Sequence, residues 1–146
     1  MSNTEKLVIK TINRPEKKGE EALLEWFCDV FDLAGKKNDL EPEILKEIVG
    51  KSMAGLGVTS KELNIQLDTP RSTVIYHLNR FIYSGLVIRK GRKYYLRSND
   101  MTGTMEELQS EMLREFNRLI EFAGQLDKIM ENDLHARKRK QDRKER

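Results

Sequence analysis

The strongest constraint on the fold lies in residues 59–85, where two short helical patterns are separated by a three-residue break. Thr59 and Glu62 have the spacing of a capping box, in which both side chains bond backbone donors at the start of a helix. We therefore predict a short helix over residues 60–67, directly before the break.

The break itself carries the signals that start a second helix. Thr69 is suited to an N-cap position, and Pro70 is suited to the first helical turn because its φ angle is already fixed. The second helix is predicted over residues 71–84 and is expected to end at Gly85. Two short helices joined by a three-residue turn form a helix-turn-helix unit.

A predicted β-hairpin follows at residues 86–97. Two apolar and basic segments flank Lys90 and Gly91, and the glycine can supply the positive φ of a tight turn. Helix, helix and hairpin in this order predict a winged helix, in a chain that is otherwise mainly helical.

Apolar spacing predicts helices on both sides of this unit. The upstream ones cover residues 20–33, stopped by Gly35, and residues 42–53, while residues 6–13 are interpreted as a short strand or arm. The predicted organisation is an N-terminal arm and helix (1–38), a winged helix-turn-helix domain (39–100), a dimerisation helix (101–134) and a basic, disordered tail (135–146).

The dimerisation helix is predicted from a heptad pattern over residues 104–134, interrupted at Gln109. A helix of this length, about 46 Å, exceeds what a small domain can cover, so its apolar stripe requires a partner, and a second copy of the chain is the simplest one. The residues at the a and d positions of the heptad are Met105, Met112, Phe116, Leu119, Ala123, Leu126 and Met130.

Composition narrows the function classes. The 146 residues include one cysteine, Cys28, so an intrachain disulfide and a thiolate cluster are excluded. With neither an apolar segment of membrane-spanning length nor a signal-peptide pattern, we expect a cytoplasmic protein without membrane contact. We expect no enzyme, cofactor or metal site, because no phosphate-binding glycine loop, H-E-x-x-H motif or catalytic triad is indicated.

Charge is distributed unevenly along the chain. Residues 71–97 contain seven basic residues and no aspartate or glutamate, whereas the flanking helices are mostly acidic. Such segregation gives one part of the molecule a positive field, which favours a polyanionic partner.

The helix over residues 71–84 carries the first candidate binding residues. Turning Val74, Leu78 and Phe81 inward directs hydroxyl, amide, phenol and guanidinium groups outward, the types that read base edges and phosphates. An ordinary solvated helix face is the alternative, but its position after a capped helix and before a basic hairpin favours DNA. The candidate residues are Arg71, Ser72, Thr73, Tyr76, Asn79 and Arg80.

The hairpin supplies the second set, the basic residues Arg89, Lys90, Arg92 and Lys93. Edge strands also carry basic residues to avoid aggregation. Four such residues within five positions exceed that need, so contact with phosphates or the minor groove is favoured. Two further candidates are given structural roles: His77 as a packed, hydrogen-bonded histidine and Cys28 as a small buried hydrophobe.

Residues 59–97 resemble the winged-helix cores of prokaryotic regulators of the ArsR, MarR and GbsR type. The similar motif is T-x-x-E-L-A-x-x-L-G-h-x-x-S-T-V-x-x-H-L-x-x-L-x-x-x-G-L-h, where h is apolar. It is matched at Thr59, Glu62, Leu63, Leu67, Ser72, Thr73, Val74, His77, Leu78, Gly85 and Leu86. The departures are Asn64 for a small alanine, Asp68 for the turn glycine, and Thr69 for an apolar residue. Asp68 tolerates the left-handed conformation, whereas Asn64 requires a hydrogen-bond partner if buried.

The resemblance implies a recognition helix, a wing and dimerisation through flanking helices. We expect a homodimer that binds double-stranded DNA at a roughly palindromic site and regulates transcription, with repression favoured over activation. The alternative is a winged-helix module for protein–protein contact in a transcription or repair assembly. The operator and any small-molecule effector are not indicated by the sequence.

Overall fold

The computed structural model describes residues 14–31 and 40–145. The predicted arm at residues 6–13 and the stop at Gly35 lie outside this part of the chain. The described elements are α1 (Glu20–Val30), α2 (Leu40–Met53), β1 (Val58–Thr59), α3 (Ser60–Gln66), α4 (Arg71–Ser84), β2 (Val87–Lys90), β3 (Lys93–Leu96) and α5 (Met101–Lys144). The fold is mainly helical with a small antiparallel sheet, as predicted, and has a long C-terminal helix.

The chain divides into two compact units, Met1–Leu108 and Gln109–Arg146. The first contains one hydrophobic core, to which α1 to α4, the sheet and the first turns of α5 all contribute. Because Cys28, Val30 and Phe31 belong to this core, α1 is part of the same compact unit as α2 to α4 and the sheet.

The sheet has three strands in the order β1-β3-β2, all antiparallel. The hairpin of β2 and β3 was predicted, and Gly91 has the expected positive φ of 63° in its turn. The pairing of β1 with β3 was not predicted, because a strand of two residues, Val58 and Thr59, carries too short a pattern to be detected.

The capping box that opens α3 is confirmed. The Thr59 hydroxyl accepts a hydrogen bond from the Glu62 amide at 3.1 Å, and the Thr59 amide donates to Glu62 Oε2 at 3.4 Å. These bonds satisfy backbone donors that the first helical turn leaves without a partner. The beginning of α3 is therefore fixed by residues only three positions apart.

The turn between α3 and α4 differs in one detail from the prediction. Pro70, not Thr69, occupies the N-cap position of α4, and the Thr69 hydroxyl instead donates to the Leu67 carbonyl oxygen. Two of the three departures from the similar motif, Asp68 and Asn64, are accommodated. Asp68 adopts the left-handed conformation with φ 47°, and the half-buried Asn64 side chain donates to the Thr69 carbonyl oxygen at 2.5 Å.

α5 begins at Met101, the first residue of the predicted dimerisation helix (101–134) and three residues before the heptad pattern begins at Thr104. Asp100 caps the helix, because its Oδ1 accepts a hydrogen bond from the Gly103 amide at 2.7 Å. Thr104 and Leu108 are buried in the first unit, and Met105 packs against the core. Met105, which the heptad pattern assigns to an intermolecular stripe, thus also has contacts with the core of its own chain, and its place in a dimer interface stays a prediction.

The end of α5 is also corrected. The tail predicted to be disordered after Leu134 continues as helix to Lys144. Residues 135–144 lack glycine and proline and are rich in arginine and lysine, which favour helices. Arg143 and Lys144 in the last turn also interact favourably with the helix dipole.

No helix within the described residues combines the length and apolarity required to cross a membrane.

Candidate functional site

The inward face of α4 is built as its apolar spacing predicts. Val74, Leu78 and Phe81 are fully buried. The helix ends where Gly85 adopts a left-handed conformation with φ 89°, which a residue with a Cβ atom adopts at a cost. This fixed burial determines which side chains of α4 face solvent.

The outer face of α4 collects most of the side chains predicted to contact DNA. Four of them are exposed, and Thr73 and Arg80 are half-buried at its sides. Tyr83, left out of the predicted site, is exposed by 54% on this face. The exposed predicted residues are Arg71, Ser72, Tyr76 and Asn79.

Both arginines of this face have partners within the chain. The Arg71 Nε donates to the Ser60 hydroxyl at 3.1 Å, linking α4 to the start of α3. The Arg80 guanidinium lies 3.1 Å from Glu41 Oε1, and its second contact is a 3.4 Å hydrogen bond donated to the Tyr76 hydroxyl. These bonds restrict where each guanidinium can point.

Glu41 is a buried carboxylate that the sequence did not identify. Its side chain is only 2% exposed, and Oε1 lies 2.8 Å from His77 Nδ1 as well as beside Arg80. Because a carboxylate accepts hydrogen bonds, Nδ1 is the donor of this contact. The prediction of a packed, hydrogen-bonded His77 is thus confirmed, with α2 supplying the partner.

Burial of a carboxylate requires compensation. Arg80 and His77 provide it from two successive turns of α4, so Glu41 fixes the rotation of α4 relative to α2. Oε2 has no hydrogen-bond partner among the described residues.

Cys28 is close enough to be affected by this carboxylate. Burial, followed by the negative charges of Glu41 and Glu25, raises the pKa of the Cys28 thiol to about 12. A thiol with so high a pKa is protonated at neutral pH and reacts slowly. The prediction that Cys28 is a buried hydrophobic residue is confirmed, since its side chain is fully buried.

The tip of the hairpin, residues 89–93, is exposed throughout. Arg89 Nε donates to the Gly91 carbonyl oxygen at 2.8 Å, and its guanidinium lies 5.5 Å from the centre of the Tyr94 ring. The Lys90 ammonium similarly lies 5.7 Å from the centre of the Tyr95 ring. The aromatic residues of β3 therefore support two of the cations that the tip presents.

The four predicted hairpin cations are thus brought together in one short turn. Arg89 is paired across the strands with the buried Tyr94, and Lys90 is paired with Lys93. Arg97, a basic residue at the base of the hairpin, is held by the chain: it donates to the Gly85 carbonyl oxygen and lies 3.9 Å from Glu107.

A groove of about 540 Å³ lies between α1, α2 and the end of α3. Its lining includes four glutamates and one lysine, Lys46, which is paired with Glu20 at 3.1 Å. An acidic surface of this kind repels phosphates. Within the described residues there is also no group of three or more histidine, cysteine, aspartate or glutamate side chains placed to hold a metal ion.

Comparison with known proteins finds no matching family model, no matching curated protein and no matching solved structure.

Proposed function

We propose that the chain is a winged-helix protein that binds double-stranded DNA as a homodimer and regulates transcription. In this proposal α4 enters the major groove, and the hairpin of β2 and β3 contacts phosphates or the minor groove. The resemblance of residues 59–97 to ArsR, MarR and GbsR regulators agrees with this assignment.

One observation carries the proposal: the exposed cations of the hairpin tip lie in a sequence segment that contains no acidic residue. Arg92 and Lys93 project from the turn beside Arg89 and Lys90, and all four are exposed. A protein that only needed to protect a sheet edge would not require this density of positive charge. DNA binding does require a high density of positive charge, because the cations neutralise phosphates and release their counterions.

The outer face of α4 suits base reading through its mixture of groups. Ser72, Thr73 and Asn79 can donate and accept hydrogen bonds, which base edges in the major groove require. Tyr76 can reach a phosphate or a base through its phenol group. The ion pair with Glu41 gives Arg80 a positioning role for this face, with Tyr76 as its second contact.

The experiment that tests the proposal reverses the charge of the hairpin tip. We expect the double variant Arg92→Glu and Lys93→Glu to bind duplex DNA at least about 100-fold more weakly, because each chain loses two phosphate contacts and gains repulsion. The probes are labelled duplexes of about 30 base pairs, long enough for two half-sites one helical turn apart. They are selected from a random pool with the unmodified protein, and binding is followed by fluorescence anisotropy.

The matched control is the double variant Lys17→Glu and Lys18→Glu, which makes the same change in net charge at exposed residues before α1. Its affinity should stay within a few-fold of the unmodified protein. Equal weakening in both variants would mean that only total charge matters. If the unmodified protein retains no duplex at about 0.15 M salt, a protein–protein module becomes the better explanation.

A further inference from the structure

The second unit, formed by α5 beyond Leu108, exposes far more apolar surface than a monomeric helix in water usually does. The apolar residues exposed by more than half, here called the α5 stripe, are Leu113, Phe116, Leu119, Ile120, Phe122, Leu126, Ile129, Met130 and Leu134. The sequence-based heptad missed five of them, which lie at e and g positions beside the seam. Met112 and Ala123 complete the a and d positions between 112 and 130.

We propose that a second copy of the chain covers the α5 stripe with its helix in antiparallel orientation. The inference rests on the proposed homodimer and adds the direction of its two helices. In an antiparallel pair an a residue of one helix meets a d residue of the other. One register places every a and d residue between 112 and 130 opposite an apolar partner: Met112 opposite Met130, Phe116 opposite Leu126, and Leu119 opposite Ala123.

Side-chain volume favours this register. The smallest residue of the seam, Ala123, is matched with Leu119, and the largest, Phe116, is matched with Leu126. A parallel pair in register would instead place Ala123 against Ala123 and Phe116 against Phe116, so that one layer is underfilled and another is overfilled. Close packing at near-crystalline density disfavours both defects.

The polar residues at the ends of the stripe also favour antiparallel pairing. Asp133 occupies a d position, and a parallel pair would place two of these carboxylates against each other. The antiparallel register places Asp133 opposite Gln109, whose amide can donate a hydrogen bond to the carboxylate.

The charge distribution along α5 also favours antiparallel helices. Residues 137–144 contain six basic residues and one acidic residue, a net charge of +5, whereas residues 106–121 contain five acidic and two basic residues, a net charge of −3. Parallel helices would hold the two basic segments side by side. Antiparallel helices separate them and place Arg137 and Lys138 of one copy within one turn of the positions opposite Glu106 and Glu107 of the other.

The orientation can be measured with nitroxide spin labels, without DNA. Glu121 and His135 both lie at the outer f position of the heptad, and both are exposed. Each is replaced by cysteine in turn, in a Cys28→Ala background, and the distance between the two labels of the dimer is measured by pulsed electron paramagnetic resonance. Circular dichroism of each variant checks that the helix content is kept.

The antiparallel register gives a strong difference between the two positions. At position 121 the labels lie at the same height and only the width of the pair separates them. At position 135 an axial separation of about 42 Å is added. Similar distances at both positions would overturn the proposal in favour of parallel helices, and the absence of any dipolar coupling would exclude pairing through α5. Either result leaves the hairpin variants as an independent test of DNA binding.

Discussion

Glu41 is a single buried residue that determines the orientation of a surface to which it does not itself belong. The carboxylate is held by His77 and Arg80, one turn apart on α4, and its own helix packs within the core. Because these two contacts fix the rotation of α4 about its axis, neighbouring side chains of the helix, including Tyr76 and Asn79, keep a fixed orientation toward solvent. The orientation of the proposed reading face thus depends on α2 as well as on α4.

We expect Glu41→Gln to lower the free energy of unfolding by about 2 kcal/mol, because the neutral amide loses a charge-assisted contact and leaves Arg80 beside an uncharged group. The measurement is urea unfolding followed by circular dichroism. The matched control is Glu43→Gln, an exposed glutamate on the same helix, which should change the stability by less than about 0.5 kcal/mol. Identical midpoints for the two variants would show that the Glu41 contacts do not contribute to stability.

The helices and the hairpin could be predicted where the residues that define them lie close together in the sequence. The capping box joins residues three positions apart, and the turn at Gly91 depends on one backbone angle. The contact between Glu41 and His77 spans 36 positions, and nothing near Glu41 in the sequence indicates that its side chain is buried. The outer face of α4 and the hairpin tip were predicted as sets of residues, whereas the restraints on Arg71 and Arg80 were not.

Two errors along α5 have physical causes of their own. A strict seven-residue pattern selects a and d positions, so the apolar residues at e and g were missed and the width of the stripe was underestimated. High charge after Leu134 suggested disorder, but residues such as arginine, lysine and glutamine are good helix formers and can extend a helix that is already nucleated.

The α5 stripe predicts that dimerisation can be abolished by one substitution. Leu119→Asp places a carboxylate in the seam, where desolvation of the charge is costly, and should convert the protein to a monomer at micromolar concentration. Analytical ultracentrifugation measures the change in mass. The control is Arg118→Asp, at the exposed neighbouring position, and this variant should remain dimeric. If both variants are monomers, the substitutions unfold the helix. If both variants are dimers, the chains associate through a different interface.

At the scale of the whole molecule, each of the two units carries a different part of the proposed function. The first unit, Met1–Leu108, presents the outer face of α4 and the hairpin tip, and the second carries the α5 stripe. Two copies would double the number of phosphate contacts and allow two half-sites to be bound together. The net charge of the chain is only +3, so attraction to DNA has to come from the local density of cations rather than from the total charge.

The most direct test of this account is the salt dependence of duplex binding by the unmodified protein. With about eight phosphates neutralised per dimer, the logarithm of the association constant should fall against the logarithm of salt concentration with a slope of roughly −7. Fluorescence anisotropy on the selected duplexes between about 0.1 and 0.3 M salt measures it. A steep slope near this value is the predicted result, and a slope close to zero, or no binding at the low end of the range, would contradict the assignment of DNA as the partner.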